Sequence, residues 1–178
     1  MTEIAEHRTA DELAAGLDEI RRSPSDQGTI ELIVRRPAEN EREVLDEGVL
    51  DLEHGLVGDR WRNGSAQPDT QVTLMNARTI ALIAGSRDRW PLAGDQLYVD
   101  LDLGVDNLPA GTRLAVGGAV LEITAEPHTG CAKFSARFGS DAIRFVNGAD
   151  GRPLRLRGVN ARVVEAGTVA RGDAVAKL

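Results

Sequence analysis

The run Thr112-Arg113-Leu114-Ala115-Val116-Gly117-Gly118-Ala119-Val120-Leu121-Glu122-Ile123-Thr124 places two short apolar segments on either side of a glycine pair. Two residues free to adopt positive φ suit a tight primed turn, so Thr112 to Val116 and Ala119 to Thr124 are predicted as the strands of a hairpin. The second strand leads into Glu126-Pro127-His128-Thr129-Gly130-Cys131-Ala132-Lys133-Phe134, which holds the only cysteine and one of three histidines. Phe134 and Phe138 lie four apart before Gly139, the spacing of a short helix with a glycine stop. Cys131 is therefore expected where a strand hands over to a helix. The positive end of the peptide dipoles and the nearby Lys133 would both favour its thiolate there.

Working outward, Gln96 to Asp102 alternates Leu97, Val99 and Leu101 with polar residues, as a half-buried strand does. Gln71 to Met75 reads as a strand, and Asn76 as the N-cap of a helix from Ala77 to Ala84 that stops at Gly85. Thr29 to Arg36 is a strand closed by Pro37, and Val44 to Leu52 is expected to pair in the same sheet. On the other side of Cys131, Ser140 is expected to cap a helix from Asp141 to Val146. Two last strands are read over Val159 to Glu165 and Thr168 to Lys177. Strands dominate without regular βα alternation, so the predicted fold is mainly β with short helices, a twisted mixed sheet closing toward a barrel.

At 178 residues the chain is large enough for one core without disulfides or structural metal. Thr9-Ala10-Asp11-Glu12 matches a capping box, with Leu13, Leu17 and Ile20 following at helical spacing. Residues 1–28 are accordingly read as an N-terminal helix and linker, and 29–178 as the domain proper. No run of eighteen apolar residues and no secretory pattern occurs, so a cytoplasmic protein without a membrane partner is expected. A net charge of −7 and 3% aromatic residues argue against a nucleic-acid surface.

One cysteine and histidines at 7, 54 and 128 make a zinc-type site a weak reading. Pairing of Cys131 with His54 or His128 in a protease-like arrangement stays open, because such partners meet in space. The plainer readings are a buried, inert Cys131 and a His128 that hydrogen-bonds backbone in a turn. Glu53 to Trp61 carries Gly55 and Gly58, whose backbone amides suit an anion, while Asp59 and Arg60 making ordinary surface contacts is the plainer alternative. Arg152-Pro153-Leu154-Arg155-Leu156-Arg157-Gly158 alternates charge with leucine, which puts Arg155 and Arg157 on one side of an extended segment, facing either solvent or a pocket. In the pocket reading these arginines converge with Arg60 and Lys133 on an anionic ligand beside Cys131.

Gly55-Leu56-Val57-Gly58-Asp59-Arg60, Gln71-Val72-Thr73-Leu74, Leu108 to Gly117, Cys131, and Arg157-Gly158-Val159 through Gly172-Asp173 together resemble a MOSC domain, the module forming the C-terminal part of molybdenum cofactor sulfurases. The resemblance covers about residues 29–177. It implies a β-barrel-like fold and a role in binding molybdenum cofactor, an anionic pterin, or in carrying sulfur for it. It also implies that Cys131 is the molybdenum ligand or sulfur carrier. Gly58, Asp59, Arg60 and Arg157 match the family's elements and, with Lys133 from the charge reading, make up the expected cofactor-binding set. Relatives of this kind include reductases of N-hydroxylated compounds, so a sulfurase, a molybdoenzyme or a redox protein is the implied partner. A carrier or interaction module without bound cofactor is the alternative. The chain differs from many members in having Gly130 before the cysteine, Trp61 after Arg60, and Asp95-Gln96-Leu97 where an acidic-asparagine-leucine triplet is common.

Overall fold

The computed structural model describes residues 6–64 and 66–178. Among these residues eleven strands follow one another as β1 (Gln27–Arg35), β2 (Glu43–Leu45), β3 (Glu47–Asp51), β4 (Gly55–Leu56), β5 (Val72–Asn76), β6 (Leu97–Asp100), β7 (Arg113–Val116), β8 (Ala119–Ile123), β9 (Val159–Glu165), β10 (Gly167–Ala170) and β11 (Ala174–Lys177). Five short helices accompany them: α1 (Ala10–Ala15), α2 (Leu17–Arg21), α3 (Ala77–Ala84), α4 (Ala132–Phe138) and α5 (Ser140–Asn147).

The predicted hairpin is present: β7 and β8 pair antiparallel from Arg113↔Glu122 to Val116↔Ala119. Gly117 takes φ +53 at the first turn position, as a primed two-residue turn requires. From this hairpin the sheet runs through β9, β5 and β6 to β1, and β1 pairs with β11, which pairs back onto β7. The ring is a closed mixed barrel, antiparallel at every step except the parallel pair β5–β6. A parallel pair needs a crossover, and α3 with the 3-10 turns of Arg87–Ala93 supplies it. The barrel core takes Leu74, Leu97, Val99, Leu114, Leu121 and Val175 among others.

A second sheet, β10-β3-β4, sends Leu50, Leu56 and Val169 into that same core. Val44 to Leu52 therefore divides, contrary to expectation: β2 pairs with β1, whereas β3 pairs with β10 and β4. The last predicted strand is likewise two, β10 and β11, turned at Gly172 with φ +90.

A second apolar cluster lies outside the barrel wall, where Leu32, Val34, Met75 and Tyr98 meet Leu13, Ile80, Phe134, Phe138 and Val146 from the helices. This second core corrects the reading of β6 as half-buried: Leu97 and Val99 face the barrel interior, Tyr98 faces the helices, and all three are fully buried. Helix α3 is capped as expected, Asn76 Oδ1 accepting from Thr79 N at 3.0 Å. The capping box at Thr9 and Glu12 forms too. The single N-terminal helix expected over about residues 10–22 is two, α1 and α2, which meet at Gly16; that glycine packs against Leu82, whose Cδ1 would be 2.5 Å from an added Cβ. In α5, Gly139 occupies the cap position and Ser140 is the first helical residue. Among the described residues no helix is long and apolar enough to cross a membrane.

Candidate functional site

Cys131 is the N-cap residue of α4, at the end of the connection that leaves β8. Phe134 and Phe138, buried on the second core with ring centroids 5.0 Å apart, fix the helix and leave its first turn at the surface. The reading of Cys131 as a buried, inert residue is thereby overturned, since the cysteine is exposed. Partial burial opposes ionisation of the thiol. The backbone N–H groups of Phe134 and Lys133 and the charges of Arg157 and Arg137 outweigh it and bring the thiol below its ordinary value.

Gly130 is clamped by Asn147: its N–H donates to Asn147 Oδ1 at 2.9 Å and its carbonyl accepts from Asn147 Nδ2 at 3.2 Å. A proline here would have no N–H to give. An added Cβ would also sit 3.0 Å from Ile143 Cγ1. Glycine is thus the residue that this packing of α5 against the cysteine loop requires.

Around Cys131 opens a cavity of about 150 Å³. Among the described residues six cationic side chains line it, Arg36, Arg42, Arg60, Lys133, Arg137 and Arg157, and no carboxylate does. A cleft of about 660 Å³ continues from it, with Arg36, Arg60 and His128 lining both. Of the residues expected to bind an anionic ligand, Arg60, Lys133 and Arg157 line the cavity with Cys131, whereas Gly58 and Asp59 do not. Gly58 lies against Arg35, with φ +88.

Asp59 is buried beneath the site, which corrects the reading of it as a surface contact. Its Oδ1 accepts from Arg36 Nε at 3.0 Å and Arg36 N at 2.8 Å, and its Oδ2 from Arg36 Nη2 at 2.8 Å and Trp61 N at 3.0 Å. Burial opposes the charge on both partners, yet the pair holds Asp59 below and Arg36 above their usual values. Arg60 N donates to Arg36 O at 2.7 Å, so this pair also anchors the start of the Arg60 segment.

Asp95, just ahead of β6, is the second anchor. Asp95 is fully buried; its Oδ2 accepts from Arg157 Nη1 at 2.5 Å and its Oδ1 is 2.8 Å from His128 Nε2. Burial would raise this carboxyl, but Arg157 first and His128 second hold it far below the usual carboxylate range. His128 is thus bound to a buried carboxylate, not to backbone as the turn reading had it. Gln96 beside it accepts from Thr73 N at 2.8 Å and donates to Asp59 Oδ2 at 3.3 Å. The Asp95-Gln96 dipeptide so links both ion pairs under the cavity floor.

Arg155 and Arg157 do not share an extended face. Residues 150–157 form turns, Arg155 takes φ +49, and its Nη1 donates to the carbonyls of Leu103 and Leu108. Arg157 alone enters the cavity, its guanidinium 5.0 Å from the Phe134 ring centroid. Sequence reasoning missed Arg36, Arg42 and Arg137. Arg42 and Arg137 have no carboxylate partner among the described residues, and burial together with the charges of Arg137, Arg36 and Arg60 holds Arg42 below its usual value. Among the described residues no cluster of histidine, cysteine and carboxylates could hold a metal ion by itself.

Three comparisons bear on this geometry. No curated protein matches the chain. Among solved structures, YuaD from Bacillus subtilis superposes with a TM-score of 0.64 at 18% identity, over 84% of this chain and 94% of that one. YiiM from Escherichia coli gives 0.56 at 18%, covering 84% and 69%, and YiiM from Geobacillus stearothermophilus gives 0.54 at 12%, covering 85% and 73%. At these identities the likeness is one of fold. The family model for the MOSC domain matches residues 66–176, from the approach to β5 through β11 and across Cys131 and Arg157, and the chain belongs to the MOSC domain family.

Proposed function

We propose that the protein binds a molybdenum cofactor in the Cys131 cavity, with Cys131 as metal ligand or sulfur carrier. The observation that carries this reading is an exposed thiol, lowered toward thiolate, in a cavity lined among the described residues by six cationic side chains and no carboxylate. This donor set fits the group. A soft thiolate suits the metal or a terminal sulfur, and guanidinium groups suit a phosphate. The adjoining cleft of about 660 Å³ is of the size that small-molecule sites occupy.

In this reading Arg42, Arg60 and Arg137, which have no carboxylate partner among the described residues, supply positive charge to the ligand. Arg36 and Arg157 are held rigid by Asp59 and Asp95, so little side-chain freedom is lost when a ligand binds. Lys133, paired with Glu39 across 3.4 Å in solvent, is free to turn toward an anion. The cofactor, when bound, supplies two-electron redox or sulfur-transfer chemistry; reduction of an N-hydroxylated compound is the activity we propose, with a redox protein or a sulfurase as partner at the open mouth of the cleft.

The test is metal analysis of protein made in a host competent for the cofactor. Wild type is expected to retain molybdenum and Cys131→Ser to lose most of it. Equal retention by Cys131→Ser would remove the cysteine as an essential ligand.

A further inference from the structure

His128 is the one residue that lines the Cys131 cavity, the wide cleft and a third cavity of about 300 Å³ behind the cysteine loop. Its ring is fixed on two sides. Nε2 lies 2.8 Å from Asp95 Oδ1, and the Cδ2 edge faces Gly158, where an added Cβ would lie 3.0 Å away. The side chain is nevertheless 19% exposed, and Nδ1 is not among the buried polar atoms that lack a partner. No hydrogen-bond partner reaches Nδ1 among the described residues.

The chemistry of Asp95 then decides what Nδ1 presents. An ionised carboxylate only accepts hydrogen bonds, and Asp95 also accepts from Arg157 Nη1. In its neutral form the His128 ring must therefore carry its proton on Nε2, and Nδ1 is left with a bare lone pair. The surrounding cavity is otherwise dominated by donors, namely Arg36, Arg60, Lys133, Arg137 and Arg157.

We propose that His128 is the specificity-determining residue of this cavity, its Nδ1 selecting ligands that carry an N–H or O–H donor next to an anionic or metal-bound group. The proposal deepens the cofactor reading and rests on the Cys131 cavity being the ligand site. A ligand that offers only acceptors at this point covers Nδ1 without pairing it, and Nη1 and Nη2 of the adjacent Arg157 are already committed to Asp95 and the Ala93 carbonyl. A hydrogen-bonding group that a bound ligand shields from water without pairing counts against that ligand, and one that offers the complementary donor is favoured.

The single cysteine gives a direct test in the metal-free protein. Alkylation of Cys131 with iodoacetamide places a carboxamide with N–H donors in the cavity; alkylation with N,N-dimethyl-iodoacetamide places the same arm without them. Long-range 1H–15N NMR at about pH 8, where an ordinary imidazole is neutral, reads the nitrogens of His7, His54 and His128, and His128→Gln assigns the third. The expected result is an unmodified protein with the proton on Nε2 and a bare Nδ1. With the first adduct the Nδ1 signal moves several ppm toward the hydrogen-bonded position; with the second it does not, and His7 and His54 stay still in both. A proton on Nδ1 in the unmodified protein, an Nδ1 silent to both adducts, or one that moves equally with both would overturn the proposal. Because no metal takes part, this result is independent of molybdenum retention, and failure of either reading is seen separately.

Discussion

Asp95 and Arg157 meet at 2.5 Å where neither side chain is more than 8% exposed, 62 residues apart in sequence and directly beneath the only cysteine's cavity. Removing one partner of such a pair leaves the other charge buried and uncompensated. Asp95→Ala is therefore expected to cost about 3–5 kcal/mol in unfolding free energy, measured by urea denaturation. The exposed pair Lys133–Glu39 sets the contrast, with Glu39→Gln changing stability by less than about 1 kcal/mol.

Asp59 anchors the other side. Asp59→Ala strips Arg36 of its bidentate partner and frees the Arg60 segment. A loss of about 3 kcal/mol is expected, together with faster hydrogen exchange at the amides of Arg36 and Trp61, which now donate to Asp59. Unchanged exchange at both amides would show that the carboxylate does not organise the loop.

Acid should weaken the fold through the same two carboxylates. Both are held below their ordinary values in the folded protein, so as pH falls the unfolded chain takes up protons first. Their stabilisation is complete above the unfolded value of about 3.9 and is lost progressively as pH drops from there toward the depressed folded values. Urea midpoints measured between about pH 7 and pH 3 are expected to fall at the acid end, and less steeply in Asp95→Asn.

Cys131 should react as a lowered thiol. Its alkylation rate is expected to reach half-maximum at a lower pH than that of an unperturbed cysteine, because the backbone N–H groups of Phe134 and Lys133 and the Arg157 and Arg137 charges outweigh partial burial and favour the thiolate. Arg137→Gln should move that midpoint upward. A midpoint unaltered by this change would remove Arg137 from the electrostatics of the thiol.

What the sequence disclosed follows from how local each signal is. The β7–β8 hairpin, the Asn76 cap and the start of α4 at Cys131 depend on residues within a few positions of one another, and all three stand as expected. Tyr98 on β6 defeated the alternation argument because a second core lies on the outer face of the barrel, which no period in one strand reveals. Alternation of arginine and leucine from Arg152 to Arg157 imitated a strand, while the buried Gly151 and the hydrogen bonds of Arg155 turn the segment instead. Arg36, Arg42, Arg137 and the bond between His128 and Asp95 were invisible for a plainer reason. Each partner lies on a different part of the chain, and only barrel closure brings them to one cavity.

The proposed function stands or falls on whether the Cys131 cavity holds a molybdenum cofactor. The direct measurement is molybdenum and pterin determined together on the same sample, purified from a cofactor-competent host. Near-equimolar molybdenum and pterin, with both reduced when Arg60 and Arg137 are replaced by glutamine, is the predicted result. Wild-type protein carrying neither above the level of a preparation from a cofactor-deficient host would contradict it.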